Sequence, residues 1–319
     1  MPFEFSFSAK SGDNVLMKFF SERRTPSQNI AFLAIAAALN AIFSLLIHFV
    51  PLSDFVVLLF LPLISAMVGL LCEKKYLPVY LVAALGVSLA VTAYDISTTL
   101  FYVVPAILSG TAYGFFYHKS WPLPYVLLGT AIITMALNYV SLPLIKLIYN
   151  QDIIAFFLNV LNLTNHPYVH DIIPAFLLTY ALAQTAITHF VIQGFFARFH
   201  LAKDESEKFS LSYPIGGICG VILTISFAFS YPVVSYVFLV LSIYFSAFAS
   251  LLFSERFPWW VYLIFGLLEL GSVYGFALLY PLVPKDGGLA FLSLFLFSLD
   301  TATLLGRLLC LRKGKKAAN

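Results

Sequence analysis

Apolar positions along this chain gather into ten long blocks separated by short polar breaks. A helix needs about 20 mostly apolar residues to cross the hydrocarbon core of a bilayer. On that rule the blocks predict ten spans: Ile30–Val50, Phe55–Cys72, Tyr76–Tyr94, Ser97–Tyr117, Tyr125–Tyr149, Ile172–Arg198, Ile215–Ser230, Pro232–Phe253, Trp259–Tyr280 and Leu289–Leu311. The breaks at Tyr94–Ser97 and Ser230–Pro232 are so tight that a re-entrant hairpin fits either as well as a turn. The expected fold is an all-α polytopic membrane protein.

Charge supports this reading independently of hydropathy. With the N-terminus placed in the cytoplasm and the spans alternating, all of the 18 Lys and Arg except Lys146 and Lys285 fall on or at the inner face. That is the bias the positive-inside rule requires, and it predicts both termini inside. Composition then excludes an ordinary soluble domain. The chain is 61% hydrophobic, 10% charged and has a mean hydropathy of +0.93, against about 25% charged residues in soluble proteins. The net charge of +3 follows topology and carries no sign of nucleic-acid binding. The expected location is the cell (inner) membrane, in contact with the lipid bilayer.

The longest polar breaks suggest how the chain is organised. Residues 1–27 carry Phe3, Phe5, Phe7, Phe19 and Phe20 and lack a signal-peptide cleavage pattern, so they are expected to lie along the cytoplasmic interface. A six-helix unit over residues 28–201 is followed by a charged linker at 202–214, a four-helix unit at 215–311 and a basic tail at 312–319. The outer loop Asn150–Asp171 contains an apolar run and then His166 and His170; it suits a surface helix or a lid. Cys72, Cys219 and Cys310 map to the reducing side and are expected to be free thiols.

Two groups of residues suggest interactions. In QNIAFLAIAAALNAIFSLLIHFV, Ala34/Ala38 and Ala37/Ala41 stand four apart and stack on a helix face. Such small-residue strips admit close helix contacts in lipid, either with the chain's own helices or with a partner subunit. Polar side chains in the outer half of the six-helix unit are His48, Asp54, Tyr94, Asp95, Thr98, Asn138, Tyr139, Tyr180 and Gln184. They can converge beneath the 150–171 loop as a pocket for a small heterocycle. The competing reading makes Tyr94 and Tyr139 interfacial anchors, and Asp54 and Asp95 wetted loop residues.

An N-inside six-helix unit opened by this alanine strip resembles the substrate-binding S-component of energy-coupling-factor (ECF) vitamin transporters. The segment YVVPAILSGTAYGFFYHK, with Pro105, Gly110 and Gly114, is similar as well. With four further helices, the whole layout looks more like the YybS-like predicted membrane proteins of that superfamily. The resemblance implies a transmembrane coupling subunit with two ATPases docking on Ala34, Ala37, Ala38 and Ala41, and a small-molecule substrate bound toward the outer side. No GxxxxGK[ST] occurs here, so ATP hydrolysis would come from partners.

Glu269 and Asp300 sit near the middle of the last two spans, with no Lys or Arg at their depth. They suit a shared-proton site in a stand-alone proton-coupled carrier or a structural hydrogen-bonded pair. A membrane scaffold without substrate is a further alternative. No HExxH or GxSxG is present, and Pro167 interrupts the His166/His170 spacing. The chain therefore reads as neither an enzyme nor a cofactor or metal binder.

Overall fold

The computed structural model describes residue 23 and residues 25–49, 53–150, 152–160, 169–198, 211–253, 257–282 and 285–317. Among them no strand occurs. The helices are α1 (Pro26–Phe49), α2 (Ser53–Leu71), α3 (Leu77–Val91), α4 (Ile96–His118), α5 (Leu123–Tyr149), α6 (Ile153–Val160), α7 (Val169–Arg198), α8 (Ser212–Ala228), α9 (Pro232–Leu252), α10 (Trp259–Leu279) and α11 (Ser293–Ala317). A helix stands at each predicted block. Eight of the helical stretches are long and apolar enough to cross a membrane, the architecture of a multi-pass α-helical membrane protein. The other two are shorter: the described apolar part of α2 is Phe60–Leu71, and α8 has 17 residues. At 1.5 Å per residue α8 rises about 26 Å, short of the roughly 30 Å hydrocarbon thickness.

The chain divides into two compact units, residues 1–151 with 182–204 and residues 152–181 with 205–319. Residues 152–181, expected in the six-helix unit, instead group with the second unit. Helix α7 runs unbroken through Ala181 and Leu182, so a border drawn at loops could not have anticipated a division inside it.

Local chemistry starts and stops these helices. The Asp95 carboxylate accepts from the Thr98 backbone N–H (3.2 Å), the usual N-cap arrangement, and from Ser97 Oγ (2.6 Å). This cap starts α4 at the tight 94–97 break. At the other end of α4, Ser120 adopts a left-handed conformation, φ 56°. Its N–H reaches the Tyr117 carbonyl (3.0 Å) and Trp121 N–H reaches that of Phe116 (3.3 Å). This is a Schellman closure, and Trp121 seals it by stacking on Phe116 with centroids 4.7 Å apart.

Within α4 the backbone widens to a π-turn at Thr99–Val103, just before Pro105. Val104 N–H bonds the Thr99 carbonyl instead of that of Leu100. The freed Leu100 carbonyl accepts from Ser141 Oγ of α5 at 2.9 Å. An unsatisfied carbonyl in apolar surroundings is costly, so Ser141 both rescues the widened turn and ties α5 to α4.

Helices in lipid gain little from the hydrophobic effect and associate through close packing. In the first unit the most extensive packing is α2 against α4, and small residues permit it. A Cβ at Gly110 would meet the Pro62 backbone, and one at Gly114 the backbone of Ala66. From the other helix, Gly69 faces Thr111 and Gly114 in the same way. The Gly110/Gly114 pair therefore works inside this unit. The α1 entrance is tied to the α2 exit through Asn29, which donates to the Thr25 carbonyl (3.0 Å) and accepts from Glu73 N–H (3.1 Å).

In the second unit α8 and α9 form a helical hairpin, turned at residues 229–231. Gly220 lets the backbone of Ser242 approach, with a would-be Cβ 3.0 Å from Ser242 Cα. Ser235 Oγ donates to the Thr224 carbonyl at 2.7 Å, locking the hairpin near its turn. Helix α11 packs on α8, α9 and α10.

Candidate functional site

Three helices of the first unit bring hydroxyl-bearing residues to one place. Helix α5 shows Thr130, Thr134, Asn138 and Ser141 along its buried side, a spacing of about one helical turn. Helix α4 adds Ser109 and Tyr113, and α7 adds Gln184, Thr185, Thr188 and His189. All but Gln184 have under about a tenth of their surface exposed. Ser109, Tyr113, Thr130, Thr134, Gln184, Thr185 and Thr188 line a cavity with Pro62, Gly110 and Ile192. Its free volume is about 10 Å³, room for roughly one water molecule.

The hydrogen bonds give this cavity a character. Thr130 donates its hydroxyl proton to the Val126 carbonyl (2.7 Å), and Thr134 to the Thr130 carbonyl (3.0 Å). Their remaining lone pairs are acceptors. Tyr113 Oη and His189 Nδ1 share a 2.6 Å bond that closes one side. Thr188 Oγ1 is buried with no hydrogen-bond partner, and so is Asn138 Oδ1. Leaving such an atom unmade costs about 1–3 kcal/mol. Among the described residues no acid, lysine or arginine lines the space. The site is thus neutral, richer in acceptors than donors, and incompletely satisfied.

A second polar network lies among α1, α2 and α3. Asn40 Nδ2 donates to Tyr80 Oη (2.5 Å), which also bonds Ser65 Oγ (2.8 Å). Ser44 donates to Ser88 Oγ at 3.2 Å, and Thr92 and Thr99 share a 2.5 Å bond. Asn40, Ser44, Ser65, Tyr80, Ser88, Thr92 and Thr99 are all fully buried. Tyr80 and Ser88 stand eight apart on α3 with Ala84 between them, and Thr92 caps the end of that helix.

Of the sequence-predicted pocket residues, Gln184 lines the cavity, and Asn138 is 1% exposed on the same side of α5 as Thr130 and Thr134. Asp95 and Thr98 are joined to each other as cap and capped residue. Tyr94 and Tyr139 are exposed, at 59% and 54%. Tyr180 groups with the second unit. The side chains of His48, Asp54 and His170, and the whole of His166, lie outside the described residues. Among the described members of the predicted set, Gln184 alone lines the cavity. The residues that do gather were overlooked because threonine and serine are unremarkable singly in apolar helices; their recurrence every third or fourth position was the available signal.

The alanine strip of α1 divides in two. Ala37 and Ala41 are buried, at 5% and 8%. Ala34 and Ala38 lie on an exposed side with Ile35, Leu39 and Ile42.

Glu269 and Asp300 both sit near helix midpoints but do not form a facing pair. Ser298 Oγ donates to Glu269 Oε2. Asp300 Oδ2 accepts from Ser246 Oγ of α9 at 2.7 Å. Ser298 and Asp300 are two residues apart on α11, so these attachments point about 200° from each other. Each carboxyl thus has its own serine partner.

Among the described residues no group of three or more His, Cys, Asp or Glu is placed to hold a metal ion. Comparisons with protein-family models, with curated proteins and with solved structures found no match to this chain.

Proposed function

We propose that the chain is the solute-binding membrane component of a small-molecule uptake system, and that its first unit binds the solute between α4, α5 and α7. The observation that carries this reading is the neutral polar cavity with Thr188 Oγ1 left unpaired inside it. Polar side chains are costly within a bilayer and mark solute paths by default. At about 10 Å³ the space is far below the roughly 300–1,000 Å³ of a small-molecule pocket, so α4, α5 and α7 must part to admit a solute. Its acceptor-rich lining suits a small uncharged solute bearing O–H or N–H donors.

Energy would come from partners, as in the ECF S-components that the six-helix segment resembles. The exposed Ala34/Ala38 side of α1 is the docking face, since Ala37 and Ala41 are already used within the unit. Solubilisation in mild detergent, followed by native mass spectrometry, tests both halves. A small solute should travel with the protein and be lost in Thr188→Val. A coupling subunit with ATPases should travel with it and be lost in Ala38→Trp. Recovery of the wild-type protein alone, with neither solute nor partner, refutes the reading.

A further inference from the structure

Among the described residues of the second unit, Asp300 is the fully buried acid, at 0% exposed, and it is built into place. It lies near the middle of the apolar stretch Gly288–Cys310 and is fully buried. One carboxyl oxygen accepts from Ser246 at 2.7 Å, while the other, Oδ1, has no partner. The backbone of α8 closes over it: a Cβ at Gly217 would stand 2.5 Å from Asp300 Cγ and 2.8 Å from Oδ1. Only glycine leaves room for the carboxyl there, so two helices, α8 and α9, shape one pocket around one acid.

Among the described residues no cationic side chain is paired with Asp300. Helices α8 and α9 contain no acid, lysine, arginine or histidine; their titratable groups are Tyr213, Cys219, Tyr236 and Tyr244. Helix α10 offers Tyr262, Tyr274 and Glu269, the last held by Ser298 on another side of α11. On α11 itself Arg307 lies two turns away, with Cys310, Arg312, Lys313, Lys315 and Lys316 farther on in the same direction. A charge in lipid-like surroundings requires a partner. With no cationic side chain bonded to Asp300 among the described residues, the partner that fits is a proton on the orphaned Oδ1.

We propose that Asp300 is a proton-exchange site of the second unit, cradled by Gly217 and Ser246 and acting without Glu269. The exchange is –COOH to –COO⁻ with the proton delivered to water, and Ser246 continues to donate to Oδ2 in both states. This is independent of the solute site in the first unit and can stand or fall separately.

The test uses the full chain in lipid vesicles and the hydrophobic reagent dicyclohexylcarbodiimide, which partitions into apolar surroundings and reacts there with protonated carboxyls. The carboxyl proton passes to a carbodiimide nitrogen and the oxygen adds to its central carbon. An O-to-N acyl shift then leaves a stable N-acylurea. Peptide mapping by mass spectrometry should place the adduct on Asp300 in the wild type, so the result does not depend on any variant folding. The labelling rate should fall about tenfold per unit of pH once the proton is being lost, and Glu269→Gln should leave the adduct in place. An adduct only on Glu269, no adduct on Asp300, or Asp300 labelling unchanged from about pH 5 to about pH 9 would overturn the proposal. The last outcome would make Asp300 a permanently neutral structural acid.

Discussion

The close crossing of α2 and α4 makes the sharpest stability prediction. Replacing Gly110 or Gly114 by alanine adds one Cβ where the facing helix leaves no room. At Gly110 it would stand 2.7 Å from Pro62 Cα, and at Gly114 3.0 Å from Ala66 Cα. Non-bonded carbons rest at about 3.5–4.0 Å, so the two helices must part by roughly 0.5–1 Å, and a gap of that size forfeits about a quarter to a half of each dispersion contact it opens. Pro62, Ala66 and Gly69 meet Gly110, Thr111 and Gly114 through backbone atoms, which cannot swing aside as a flexible side chain would. Overpacking of this kind costs about 1–3 kcal/mol, and that is the loss expected for each single variant. The double variant should lose less than the sum, because the separation opened by one methyl accommodates the other. Gly86 and Gly194 are internal controls, since a Cβ at either meets nothing within 4 Å. There alanine removes only glycine's excess freedom, about 0.5–1 kcal/mol in alanine's favour. Reversible unfolding in mixed micelles, titrated with a denaturing detergent, reads the difference as a shift in midpoint. Equal midpoints for Gly110→Ala, Gly114→Ala, Gly86→Ala and Gly194→Ala would show that the glycines do not set the crossing.

Two further substitutions separate structural from binding roles by the same titration. Asp95→Ala removes the N-cap of α4 and should destabilise by about 0.5–2 kcal/mol. Asp95→Asn keeps an acceptor for Thr98 N–H and should restore most of it; loss in Asn equal to that in Ala would mean that the charge, not the cap, matters. Ser120→Gly relieves a non-glycine residue at φ 56° and should stabilise by about 0.5–1 kcal/mol, whereas an unchanged or lowered midpoint would show that the Schellman turn is not under strain.

Sequence and structure divide the explanation of this chain along a physical line. Ten apolar blocks, their approximate ends and the mid-helix depth of Glu269 and Asp300 were legible in the order of residues alone. Bilayer thickness sets how many apolar residues a helix must have, and charges mark where the blocks stop. Rotation about each helix axis was not legible. In water a polar face identifies itself, but lipid is as apolar as a protein core, so a membrane helix need not differ between its outer and inner sides. For that reason Ala34/Ala38 and Ala37/Ala41 looked equivalent, yet only the second pair is buried. For the same reason Glu269 and Asp300 looked like partners at equal depth, when rotation sends one to Ser298 and the other to Ser246. The cavity among Ser109, Thr130, Thr134, Gln184 and Thr188 exists only because three separate helices turn their hydroxyls toward one another, and that mutual orientation is set by packing between helices, which no single stretch of sequence contains.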